Sequence, residues 1–304
     1  MYMHQAFVFC IVYCNFIFQT YAATPDQELK RVLKEDNIAI TEITGWINLN
    51  LDRIRFNETE QQALALRIHD RLNAVRKQYL DFLEKYPKHT NARIAYGSFL
   101  THIDNRQGAV DQWKLALAED PENAAALNNL AAHMGTIALQ TNIFEGMKEA
   151  FKAMDKALKI APKEPLYHHN QATLLCSFPK IAATHYGENP QQIILRAILE
   201  YDTAIRLEPN NFEYVADRAE AFLDLKPFPY KRALSAWVKA QKLTTKQDER
   251  DWVYLQLAIV HYKAEKWGNV APVLDKMSGN SHKALSEKLR ETSKSKMSVK
   301  NTKP

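Results

Sequence analysis

The 304-residue sequence predicts an all-α fold of repeated helical hairpins, and three observations point there. Only 8 glycines and 12 prolines are spread along the chain, lean for a β-rich protein and natural for helices joined by short connections. Hydrophobic residues make up 46% of the whole, enough to bury a sizeable core. Four segments close with one cadence: YLDFLEKYPKH, WKLALAEDPEN, MDKALKIAPKE and YDTAIRLEPNN.

From the N-terminus, the apolar run Ala6 to Phe18 has the length of a signal-peptide core and is too short to span a bilayer comfortably. Thr20 and Ala22 follow it as small residues, so residues 1–22 read as a signal peptide cut after Ala22. That predicts an exported protein, periplasmic or secreted, with no stable membrane span after cleavage. The leader MYMHQ carries no Lys or Arg, which leaves an uncleaved membrane anchor or a cytoplasmic protein as alternatives. Cys10 and Cys14 would leave with the signal, and Cys176 alone can form no internal disulfide.

Residues 23–73 are expected to form an N-terminal helical capping region. Its pattern is weakest from Asp26 to Arg55; after that, Asn57 and Glu60 have capping-box spacing and the apolar residues keep helical phase up to Pro87. The repeats should then fill residues 74–278. The closing prolines Pro87, Pro121, Pro162 and Pro209 are separated by 34, 41 and 47 residues. Between the first two stand Tyr96-Gly97, Ala109, Trp113 and Ala116. Their counterparts in the next unit are Leu130-Ala131, Ala150, Met154 and Ala157, and in the third Gln171-Ala172, Ala197, Tyr201 and Ala204. A fourth unit offers Ala219, Ala233, Trp237 and Ala240 without a closing proline; a fifth is looser, with Leu257-Ala258, Trp267, Val270 and Leu274.

On these residues the chain resembles the tetratricopeptide repeat, whose period is about 34 residues. The resemblance implies a right-handed α-solenoid of about five hairpins with N-terminal capping helices, and a partner peptide or helix held in the concave groove lined by the first helix of each hairpin. Small residues let the two helices of a unit approach, and a bulky residue fills the space between hairpins. The longer spacings place insertions inside the second and third units. The stretch GTIALQTNIFEG should lengthen one hairpin, while Cys176 to Pro190, with two prolines and a glycine, is expected to loop.

Residues 279–304 hold seven basic and two acidic residues, a surplus equal to the net charge of +5 of the whole chain. They are expected to be a disordered basic tail. The body is then near neutral, which speaks against a nucleic-acid partner.

By helical phase, the groove should present Asn128 and Asn129 in the second repeat and His169 and Asn170 in the third. Glu213, Asp217, Glu220 and Asp224, spaced 4, 3 and 4 apart, should share one stripe of the fourth. Like charges on adjacent turns repel, so the stripe is a candidate landing site for a Lys- or Arg-bearing protein partner, including the chain's own tail. A solvated face, partly neutralised by Arg218 and Lys226, is the alternative. Of the cationic clamp that some tetratricopeptide proteins use for a terminal carboxylate, only Asn129 matches here.

No enzyme is expected. The sequence has no phosphate-cradling glycine loop, no Gly-x-Ser-x-Gly elbow and no nucleophile context at Cys176. No metal site or cofactor is expected either: His168 and His169 are adjacent, so they point about 100° apart on a helix, and no carboxylate stands at ligand spacing from them.

Overall fold

Asparagine side chains cap the starts of several helices. In the computed structural model, which describes residues 23–54, 57–279 and 282–301, Asn57, Asn105, Asn123 and Asn211 each accept a hydrogen bond from the backbone N–H three residues on, at 3.2, 3.0, 3.1 and 3.3 Å. Each cap satisfies a donor that a helix start leaves unpaired. At Asn57 only this half of the expected capping box forms; a complete box stands at Asn189 and Gln192, with Pro190 at the first helical position between them. The expected signal peptide, residues 1–22, lies outside the described residues.

Prolines close the helices. Pro87, Pro121, Pro162 and Pro209 each stand two positions beyond the last residue of a helix. The residue before each of them (Tyr86, Asp120, Ala161, Glu208) has φ between −137° and −128° and ψ between 69° and 86°. A proline disfavours the α region in its predecessor, so one covalent constraint produces the same turn four times.

The chain divides after Pro87. In the first unit, α1 (Pro25–Ile54) and α2 (Glu58–Lys85) pair antiparallel. Glu28, Glu35 and Glu42 recur every seventh residue, close to two helical turns, and so share one edge of α1. Lys85 donates to Glu28 at 2.8 Å, and Arg71 to Glu35 and Glu42 at 2.8 and 2.6 Å. The hydroxyl of the buried Tyr79 donates to Asp36 at 2.7 Å. Because α2 runs unbroken through 73–74, the border expected there falls at Pro87 instead, and the first cadence belongs to the α1–α2 pair.

The second unit is a succession of five hairpins. They are α3 (Thr90–His102) with α4 (Arg106–Glu119), and α5 (Ala124–Thr141) with α6 (Met147–Ile160). In the third, α7 (Pro165–Ser177) pairs with α9 (Pro190–Leu207), and the short α8 (Pro179–Tyr186) lies between them in sequence. Then come α10 (Phe212–Ala221) with α11 (Tyr230–Gln241), and α12 (Gln247–Lys263) with α13 (Val270–Leu274). A final helix, α14, spans Lys283–Asn301. Each hairpin packs on the next, and no strand occurs among the described residues. The fold is an all-α solenoid of helical hairpins.

Alanine sets the spacing within hairpins. Ala109 and Ala116, Ala150 and Ala157, Ala197 and Ala204, and Ala233 and Ala240 are all fully buried, and each pair flanks a bulky residue (Trp113, Met154, Tyr201, Trp237). At Gly97 the fit leaves no room for a side chain: an added Cβ would lie 2.5 Å from Nε1 of Trp113, whose indole N–H donates to the carbonyl of Ile94 at 3.1 Å.

Two expectations are corrected. The stretch Cys176 to Pro190 is not a loop, because its prolines sit at the first positions of α8 and α9, where no N–H is needed, and Gly187 ends α8 in the left-handed conformation. α8 is held by Tyr186, whose hydroxyl donates to Asp155 at 2.9 Å and accepts from Gln171 at 3.0 Å. Nor is 279–304 a disordered tail over its described part. α14 turns Leu289, the buried Ser293 and Met297 inward at four-residue spacing; Leu289 packs on the cluster of Leu255, Ala258, Val270 and Leu274, and Arg290 donates to Asp275 at 2.7 Å. Low apolar content hid that stripe. The insertion in the second unit lengthens α5 to 18 residues, as expected.

Gly97→Ala and Gly135→Ala should therefore differ in urea unfolding. Both gain helix propensity of about 0.5–1 kcal/mol. At Gly97 the new methyl meets an immobile indole and should give a net loss of about 1–3 kcal/mol. At Gly135 it meets the Cδ1 end of Leu174, which can rotate aside, and makes an ordinary contact with Phe178 at 3.7 Å, so the substitution should be near neutral.

Candidate partner-binding site

The first helices of the first three hairpins share a hydrogen-bond relay. Asn170 on α7 donates to Asn128 Oδ1 on α5 at 2.9 Å, and Asn128 donates to Asn129 Oδ1 at 3.0 Å. Asn129 in turn donates to Ser98 Oγ on α3 at 3.3 Å, and Ser98 donates to the carbonyl of Ile94 at 3.2 Å. Asn128 is buried, with 1% exposed, so its amide positions the two flanking ones. Asn129 and Asn170 are only half-buried and line a trough of about 410 Å³ with Ser98, Thr101, Trp113 and Leu166. Each carboxamide has two donors and two acceptor lone pairs, so polar capacity remains for a ligand beyond the relay.

A second hollow of about 280 Å³ lies on the same side of α7. Thr173, Cys176, Tyr201, Asp217, Glu220 and Asp224 line it. The hydroxyls of Thr173 and Tyr201 are 3.1 Å apart. Burial, then Asp217 and Asp224, raise the Glu220 carboxyl above the ordinary glutamate value. Burial, then Asp224, Asp217 and Glu220, push the Cys176 thiol up to about 12. The hollow is thus a region of negative potential walled by three carboxylates.

The predicted stripe is divided by the structure. α10 ends at Ala221, and Asp224 lies on a following 3₁₀ turn, yet it still joins Asp217 and Glu220 at the hollow. Glu213 does not line it. Arg218, expected to neutralise the stripe, instead donates to Asp202 at 2.5 Å and lies 5.0 Å from the Phe222 ring centre. His169 lines neither cavity: it is buried, stacked on Tyr214 at 4.7 Å, with Nε2 2.8 Å from Asp217 Oδ2. His168 points elsewhere, hydrogen-bonded to Glu200 at 2.6 Å and to the Pro162 carbonyl at 3.0 Å. No carboxylate was expected at ligand spacing along the sequence; the fold instead brings one to each histidine from the partner helix or the next hairpin, 32 and 48 residues on. α14 packs on α12 and α13, so over its described part this helix does not occupy the acidic hollow. Cys176 and Tyr201 were not foreseen as lining residues; their phase on α7 and α9 was the available signal.

No family model matches the sequence, and no curated protein matches it. Among solved structures, the chain is similar to PilW, described as a widely conserved type IV pilus biogenesis factor, with 14% identity, 73% of this chain and 91% of that chain covered, and a TM-score of 0.52. It is also similar to YrrB, a TPR protein with an unusual peptide-binding site (14% identity, 73% and 97% covered, TM-score 0.49), and to a thermophilic TPR protein of Thermus thermophilus (17%, 65% and 96%, 0.48). The likeness to PilW is one of fold and carries no site residue across.

The raised Glu220 carboxyl sets a pH test. Its folded form holds a proton more readily than the unfolded chain, so its contribution to stability is present at low pH and is lost as pH rises through the raised value. Glu220→Gln should raise Tm at pH 7, on the scale of two like-charge pairs at about 0.2–0.5 kcal/mol each. Below the ordinary value of 4.5 the difference should vanish.

Proposed function

We propose that this chain is a non-catalytic scaffold that holds an extended segment of a protein partner along the first helices of its hairpins. The observation that carries this reading is the amide relay from Asn170 to Ser98, which borders an open trough beside an acidic hollow. A peptide backbone offers alternating donors and acceptors, and a carboxamide matches both. Asn129 and Asn170 meet the backbone, Asn128 holds them, and Asp217, Glu220 and Asp224 receive a Lys or Arg side chain. Charge attraction of this kind favours steering and selection of partners more than raw affinity. A thiol pushed up to about 12 is protonated at neutral pH, which supports the non-catalytic reading of Cys176.

Anisotropy titrations of unstructured peptides differing only in Lys/Arg content would test this. Basic peptides should bind best and lose affinity with added salt. Glu220→Lys with Asp224→Lys should cost at least about tenfold for basic peptides, the equivalent of 1.4 kcal/mol. Asn129→Ala with Asn170→Ala should weaken basic and neutral peptides alike. Equal binding by wild type and both double variants would remove the site.

Export is the setting we propose for this scaffold, as an adaptor or as a structural subunit of a cell-envelope assembly; the apolar run Ala6 to Phe18 supports it. Mass spectrometry of the natural protein should find Ala23 at the N-terminus. An intact Met1 would exclude cleavage.

A further inference from the structure

We propose that His169, Glu213 and Asp217 form a divalent metal site of the kind that takes Zn²⁺, bridging the third and fourth hairpins. One ligand atom from each of the three lies within 4.8 Å of the others. Glu213 and Asp217 are one turn apart on α10, so both carboxylates leave the same face, and His169 meets them from α7. Among the described residues, neither carboxylate has a Lys or Arg partner, and Arg218 is spent on Asp202. Two carboxylates converging on one imidazole leave local negative charge that a dication would balance. His169 is only 6% exposed and aims Nε2 into the cluster, 2.8 Å from Asp217 Oδ2, while its Nδ1 on the other side of the ring is buried with no hydrogen-bond partner.

The imidazole decides the metal class. One ring nitrogen with two carboxylate oxygens suits Zn²⁺, whereas Mg²⁺ and Ca²⁺ take oxygen ligands. In the metal-free protein, the Nε2–H of His169 donates to Asp217 Oδ2. Binding exchanges that hydrogen bond for two metal bonds: the ring proton moves to the bare Nδ1 by solvent exchange, and the Nε2 lone pair turns to the metal. Glu213, on the exposed edge, closes the third position by rotating its side chain, and water completes the shell. Because Nδ1–H then finds no acceptor, the site lacks the second-shell support of a structural zinc centre, and micromolar affinity is expected. Asp217 also walls the acidic hollow, so a bound metal would weaken a basic occupant there. The metal site itself does not depend on the peptide reading.

Calorimetric titration of the chelator-treated full chain with ZnCl₂ at pH 7, with no peptide present, tests the site. The expected result is one micromolar site, with Mg²⁺ giving no heat at equal concentration. His169→Ala should weaken it at least tenfold, but that change also removes the ring stacked on Tyr214. Glu213→Gln is therefore the deciding variant, since its side chain is exposed and the fold can be checked by circular dichroism. A tenfold or greater loss in folded Glu213→Gln supports the three-ligand site. No Zn²⁺ binding by the wild type, or unchanged affinity in Glu213→Gln, overturns it.

Discussion

In each of α4, α6, α9 and α11, two alanines seven residues apart flank one bulky side chain, and all twelve residues are at most 3% exposed. The alanines bring paired helices close, and the large residue between them fills the gap that close approach would otherwise leave. Everything else on the second unit is placed by this contact. It sets how far α3, α5, α7 and α10 stand from one another, and so whether a carboxamide on one first helix can reach the next. The relay from Asn170 to Ser98 spans three hairpins with steps of 2.9 to 3.3 Å, a tolerance that only a tightly registered stack supplies.

The prolines enforce the same register from the backbone side. Their predecessors share one backbone conformation, so the chain leaves α2, α4, α6 and α9 by the same local turn. Where the proline is missing, after α11, the chain closes with a turn of Lys242 to Thr244, hydrogen-bonded back to Lys239, Ala240 and Gln241. The molecule thus has two ways to end a second helix, and only the first leaves a sequence mark.

Legibility followed that distinction. The hairpins of the second unit were readable because alanine, aromatic and proline positions repeat with a fixed offset. α1 was harder to read, since its few buried apolar residues, Leu29, Val32, Ala39 and Ile43, are interrupted by Asp36 and flanked by an ionic edge; the seven-residue recurrence of Glu28, Glu35 and Glu42 becomes meaningful only once Arg71 and Lys85 are known to face it. Cys176 to Pro190 misled because prolines mark helix starts as well as breaks. α14 was hidden by its lysines. For the candidate site, helix phase correctly grouped residues along one helix, such as Asp217 and Glu220. It could not reveal that His169 meets Asp217 from another hairpin, 48 residues away, because such pairs depend on stacking.

The amide relay has a sense. Every step from Asn170 through Asn128 and Asn129 to Ser98 passes a hydrogen the same way, and the series terminates on a main-chain oxygen of α3. Head-to-tail dipoles reinforce one another. On the proposed reading, a strand laid across such a row would meet unequal ends, so its two possible orientations would differ in energy.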